Sequence, residues 1–362
     1  MLLARVAENL YWMGRYLERA ENLARLINVN SHLLLDLPKG IAPGWRPLIE
    51  ITGNMALYSE RQSEFDEVRV LRFLVTADDN PGSILASLYY ARENARTIRD
   101  IIPREAWELI NALHHYAREN QASALSKRGR FDYLNQIILR NQTLTGCLVG
   151  TMNRDAGYTF VSLGQNIERA DMTSRFIDVQ SANLIDDEQP EEHPRNAIQW
   201  ISVLKSLSGY QAYRRAMQVR VRRTAVLRFL LQHREFPRTV RHALAEVAAS
   251  LRSLPNHDRP LALALRLEQG IENSDVERLS QQALHRLIDE LQIGLGELSQ
   301  AIAERYFLKP HPTVAEQSQD AVLVLRVELL DRLVEQVGLR ILREHGRGRH
   351  AAPLAARQCR QL

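Results

Sequence analysis

Two adjacent acid–base doublets have the residue types for chemistry: Glu18-Arg19 and Glu168-Arg169, each with a second arginine six residues further on, Arg25 and Arg175. A glutamate in such a set can take a proton as general base. A guanidinium fork can clamp a carboxylate through two parallel hydrogen bonds. Together they would suit a substrate that presents a carboxylate or an amide, with Glu18 or Glu168 as base and the arginines as clamp. A second reading stands beside this one. Buried ion pairs between two facing helices would use the same residues to lock a register and would perform no reaction.

The doublets sit inside a stretch that the chain carries twice. GRYLERAENLARLI (Gly14 to Ile27) recurs as GQNIERADMTSRFI (Gly164 to Ile177), with Gly14/Gly164, Glu18/Glu168, Arg19/Arg169, Ala20/Ala170, Arg25/Arg175 and Ile27/Ile177 identical. The first copy reads as a helix. Met13, Tyr16, Leu17, Ala20, Leu23, Ala24 and Ile27 fall on one side at 100° per residue. Gly14, Glu18, Glu21 and Arg25 gather in a narrow arc on the other, and Glu21-Arg25 is an acid-before-base pair one turn apart. Neighbouring polar positions differ between the copies, Arg15 against Gln165 and Asn22 against Met172. Their divergence suggests a solvated surface, and the retained Glu-Arg set suggests charges that have partners.

Other pieces repeat at nearly the same offset. VLRFL occurs at Val70 to Leu74 and at Val226 to Leu230, followed in both places by a matched proline, Pro81/Pro237. Trp45-x-x-Leu48-Ile49 answers Trp200-x-x-Val203-Leu204. An internal duplication is the simplest source of three matches in one order. The expected halves are 1–155 and 156–307. Helices are expected over Leu3–Leu35, Trp45–Ser59, Val68–Thr76, Asn80–Ile102, Arg104–Asn120 and Tyr133–Met152, with Asn80 as N-cap and Pro81 at the first helical position. The second half should repeat the plan from Phe160, with loops at 186–194 and 255–260. No stretch alternates with period two, so strands are not expected. The fold class is therefore all-α, a helical bundle of two pseudo-twofold related halves. Beyond it, 308–319 reads as a linker and 320–345 as a helix with a heptad seam from Leu323 to Ile341, suited to docking on the body or to a homo-oligomeric coiled coil. Residues 346–362 read as a disordered basic tail.

Composition bounds the rest. A chain of 362 residues with a formal net charge of +4 is long enough for two structural units with real cores. The longest uncharged run, Asn141 to Asn153, is too short and polar to span a bilayer. Arg5 and Glu8 come too early for a secretory leader, and Cys147 and Cys359 give no disulfide framework or cysteine zinc site. A cytoplasmic protein is expected. No His follows a glutamate at the spacing of a di-metal bundle, and no phosphate loop or nucleophile elbow occurs, so neither metal nor cofactor is expected. Residues 205–252 hold eleven Lys/Arg against Glu235 and Glu246. Arg214, Arg215, Arg220, Arg222, Arg223 and Arg228 lie all round the helical wheel, interleaved with apolar residues. This reads as a mostly packed helix whose arginines meet body carboxylates. Nucleic-acid binding is disfavoured, and an anionic ligand or partner stays open. A last charged set, Arg92, Glu93, Asn94 and Arg96, reads either as a solvated face or as a complement to the Glu-Arg stretch across the bundle.

These segments together, LYWMGRYLERAENLAR, ARENARTIRD, SLGQNIERAD, SGYQAYRR and VLRFLLQHREFPRTVR, resemble the bacterial alpha-E family over residues 1–307. The family takes its name from an alpha-helical domain with a Glu-Arg motif. The resemblance places the motif at Glu18-Arg19, Arg25, Glu168-Arg169 and Arg175, with Arg92-Glu93-Asn94 as a third element. It implies a setting alongside, or fused to, a circularly permuted ATP-grasp protein, often with transglutaminase-like peptidases, in the making or modifying of peptide or amide bonds. In that setting the chain would be an accessory binding component or an enzyme in its own right, with a peptide or carboxylate ligand.

Overall fold

The computed structural model describes residues 2–36, 44–183 and 194–307. Among them every regular element is helical and there is no strand. The residues expected to form the linker, the heptad helix and the basic tail lie outside the described residues, as does most of the 186–194 loop.

Helix α1 (Ala4–Asp36) is buried on nearly all sides: Leu10, Met13, Ala20, Ala24 and Ile27 are fully covered, and so are polar residues between them. A helix with so little solvated surface must lie in the middle of its bundle. It is followed by α2 (Arg46–Ile51), α3 (Met55–Ser59), α4 (Glu67–Leu71) running into a π-helical turn (Arg72–Thr76), α5 (Ile84–Thr97), α6 (Arg104–Glu119), α7 (Gln121–Leu125) and α8 (Arg130–Thr151). The second central helix is α9 (Ala156–Asn183). After it come α10 (Pro194–Ser206), α11 (Tyr210–Met217), α12 (Arg223–Gln232), α13 (Val240–Arg252), α14 (Asp258–Asn273) and α15 (Gln281–Tyr306). The two central helices pack on each other. Helix α5 covers α1 and α13 covers α9, while α2 reaches across to α9 and α10 to α1. Both sequence halves belong to one compact unit, Met1–Lys309. No helix among the described residues is long and apolar enough to cross a membrane.

The repeated segments recur in structural detail. In VLRFL and its second copy, Val, the first Leu, Phe and the second Leu are buried, and the arginine, Arg72 or Arg228, is exposed. Helices α2 and α10 end in the same way: the Asn54 N–H donates to the Ile49 carbonyl, and the Gly209 N–H to the Leu204 carbonyl. The residue before each of these donors has positive φ, Gly53 at 69° and Ser208 at 55°. Tyr58 and Tyr213 follow, fully buried, each edge-on to the phenylalanine of its VLRFL segment at 90° and 89°.

Three local expectations are corrected. Residues 45–59 are two helices, because the chain turns through left-handed Gly53 between them. The cap of α5 is Ser83, whose Oγ accepts from the Ala86 N–H at 3.1 Å. Asn80 is buried below it, holding the Gly82 N–H and the Phe73 carbonyl. Thr239 caps α13 as Ser83 caps α5. Finally, the basic segment is not one packed helix. It breaks at left-handed Gln218, and Arg214, Arg215, Arg220, Arg222 and Arg228 are exposed.

Candidate functional site

Helices α1 and α9 cross where their duplicated glycines meet. A Cβ on Gly14 would lie 2.5 Å from the Val161 carbonyl oxygen, and one on Gly164 would collide with that of Tyr11. Only hydrogen allows the backbones this close. We expect Gly164→Ala to destabilise the protein by about 1–3 kcal/mol. Intrinsic propensity acts the other way, favouring alanine in a helix by about 0.8–1.0 kcal/mol. A net loss in urea unfolding therefore reports the clash, and an unchanged or raised midpoint would show that the helices part without cost.

One turn beyond the glycines, each helix offers its glutamate to the other. Glu18 accepts from Arg169 at 3.0 Å and Glu168 accepts from Arg19 at 2.6 Å. Each carboxylate has a further guanidinium, and here the halves differ. Glu168 takes Arg15 at 2.8 Å. Glu18 takes Arg238, from the turn before α13, at 2.6 Å. Arg19 holds Glu168 through both carboxylate oxygens. Glu18 and Glu168 are 2% and 1% exposed, so these four arginines occupy what would otherwise be two isolated buried anions.

A second tier extends the cluster along both helices. Glu21 accepts from Arg25 at 2.7 Å, Arg238 at 2.8 Å and the Asn141 side chain of α8 at 3.0 Å. Asn141 also donates to the Leu17 carbonyl, and Arg238 to the Asn22 side chain. Arg175 pairs with Asp171 within α9. The outer ends of Arg25 and Arg175 then reach equivalent turns of the opposite half. Arg25 donates to the Ser208 hydroxyl, and Arg175 Nη1 fills the space beside Gly53 that a Cβ would take.

Electrostatics fixes the ionisation of both glutamates. Burial alone would raise their pKa values, but the attraction and hydrogen bonds of paired guanidiniums outweigh it, Arg19 and Arg15 for Glu168, Arg169 and Arg238 for Glu18. Both end below the usual carboxylate range, and Glu168 far below it. Burial works against the charge of Arg15 and Arg19, but Tyr11 and then Glu168 for Arg15, and Glu168 for Arg19, outweigh it and hold both more firmly protonated, as Glu18 does for Arg169. A carboxylate so placed has neither a free oxygen nor a proton affinity near neutrality, the two things a general base needs.

The duplicated residues are therefore brought together: Glu18, Arg19, Arg25, Glu168, Arg169 and Arg175 form one cluster. The other set is elsewhere. Arg92 donates to Glu93 and to Asn111 of α6, and Arg96 donates to Glu93, so these charges pair with one another and not with the crossing. Asn94 contributes its carbonyl to the Thr97 hydroxyl. Arg15 and Asn22, which looked like freely varying surface, are 7% and 1% exposed and belong to the cluster. Arg238 has no charged counterpart in the first half, where its duplicate position is Gly82. The signal available was the basic excess of its segment, which called for carboxylates elsewhere in the body. Among the described residues no group of three or more His, Cys, Asp or Glu is placed to hold a metal ion.

Known proteins add the following. A family model described as a predicted alpha-helical domain with a conserved ER motif, named Alpha-E, matches residues 2–307. Uncharacterised proteins of Mycobacterium tuberculosis and Mycobacterium bovis are 24% identical over 326 residues, covering 83% of this chain and 36% of each relative. The chain thus spans about a third of the length of these relatives. No solved structure matches.

Proposed function

The chain belongs to the alpha-E family, and from that premise we propose that it is a non-catalytic binding component of an ATP-grasp-associated system that forms or modifies peptide or amide bonds. The observation that carries this reading is the saturation of Glu18 and Glu168 by two guanidiniums each. Residues that the enzyme reading would use as base and clamp are spent on one another. The Glu-Arg motif then serves as the joint that holds α1 against α9. The length of the mycobacterial relatives supports the reading further: there, an equivalent of this chain is one part of a larger polypeptide, as expected of a component that works beside others.

The test is biochemical. The purified chain alone is expected to hydrolyse neither ATP nor an amide. Tagged in its own cell, it should retain an ATP-grasp protein, and the pair should turn over ATP when offered suitable acids and amines. Robust turnover by the isolated chain would overturn the reading in favour of an enzyme.

A further inference from the structure

The break at Gln218 leaves a groove of about 780 Å³ between α11, α12 and the turn that leads to α13. Arg215, Arg228, Arg234 and Arg241 line it, with Met217 and Phe236 as apolar surface between them. A shallower recess of about 560 Å³ continues from it past Arg214. The size suits a ligand or a short stretch of peptide. Arg234 and Arg241 share Glu272, and Arg228 meets Glu277. Arg214, Arg215 and Arg220 are exposed and have no carboxylate partner among the described residues.

The fold does not require this charge. The matching connection of the first half, between buried Tyr58 and the first VLRFL, is net acidic, with Glu60, Glu64, Asp66 and Glu67 against Arg61 and Arg69. The same place in the duplicated plan is thus acidic once and basic once, while its buried tyrosine, phenylalanine and leucines are retained. What diverged is the part that meets solvent.

We propose that this groove and the recess beside it bind an acidic peptide segment, its carboxylates on Arg214 and Arg215 and an apolar side chain against Met217 and Phe236. Carboxylates suit it better than a phosphodiester backbone. Glu235, Glu272 and Glu277 stand among the arginines, so a dense run of phosphates would meet repulsion where spaced carboxylates would not. The proposal supplies a ligand class for the binding component described above. It rests on that reading only for the peptide's place in the wider system.

The experiment uses the full chain and a short fluorescein-labelled peptide of repeating Glu-Leu-Gly, with repeating Gln-Leu-Gly and single-stranded DNA of similar length as comparisons. Fluorescence anisotropy should show salt-sensitive binding of the acidic peptide, stronger than either comparison. Arg214→Glu with Arg215→Glu should weaken it at least about tenfold, which is about 1.4 kcal/mol. Both arginines are exposed and outside the ion-pair cluster, so this variant should unfold at the same urea concentration as the parent. Three results overturn the proposal: no binding of the acidic peptide, equal binding by the double variant, or tighter binding of DNA. Self-association that the double variant abolishes, without peptide binding, would assign the groove to a second copy of the chain. None of these results bears on whether an ATP-grasp protein is retained, so the two proposals fail separately.

Discussion

Glu168→Gln is expected to lower the stability of the protein by about 3–5 kcal/mol, the cost of breaking a buried ion pair from one side. The substitution keeps the size and shape of the side chain and removes its charge. Arg15 and Arg19, with side chains 8% and 18% exposed, then lose the carboxylate that they share. The cluster already holds six guanidiniums, those of Arg15, Arg19, Arg25, Arg169, Arg175 and Arg238, against Glu18, Glu21, Glu168 and Asp171. Losing an anion therefore adds to an existing cationic surplus. Urea unfolding at neutral pH should show a lower midpoint with an unchanged slope. Acid supplies a second readout. The folded-state pKa of Glu168 lies below its unfolded value, so its stabilisation is complete above the unfolded carboxylate pKa of about 4.3 and is lost as pH falls towards the folded value. Parent and variant midpoints should accordingly converge below about pH 4. A neutral substitution at both pH values would mean that the crossing does not depend on its ion pairs.

The same cluster shows what comparison of the two halves makes legible and what it hides. The helices could be read because apolar residues recur at helical spacing over long runs, and α1 and α9 could be paired because their Glu-Arg doublets are identical. Arg15, Asn22 and Arg238 could not be read in that way. Retention between copies marks residues that do the same thing twice, and these three do different things on the two sides. Glu168 receives its second guanidinium from its partner helix, through Arg15, whereas Glu18 receives it from Arg238. Where the network is asymmetric, its residues necessarily differ between the halves and look like free variation. The glycines illustrate the opposite case. Gly14 and Gly164 were plainly retained, but only the backbone approach at the crossing explains why. The break at Gln218 was hidden for a third reason. Its segment has the apolar content of a helix, and a single left-handed residue that is not glycine leaves no mark in the pattern.

Arg238→Ala should cost about 3 kcal/mol, the lower end of the range for breaking a buried pair. Its guanidinium, with the side chain 11% exposed, joins three acceptors: Glu18 at 2.6 Å, Asn22 at 2.5 Å and Glu21 at 2.8 Å. Two considerations place the loss below that of Glu168→Gln. Glu18 keeps Arg169 and Glu21 keeps Arg25, so neither carboxylate is left without a cation. The substitution also reduces the cationic surplus of the cluster. Arg238→Lys should recover part of the loss only, because one ammonium cannot reproduce the planar fork that spans both glutamates. Arg238 helps to depress the pKa of Glu18, so without it the folded value rises towards the unfolded one, and the midpoints of parent and variant should draw together as pH falls. If Arg238→Ala is neutral, Arg169 alone suffices for Glu18. If it costs as much as Glu168→Gln and Lys restores nothing, the fork geometry, and not the charge, carries this side of the crossing.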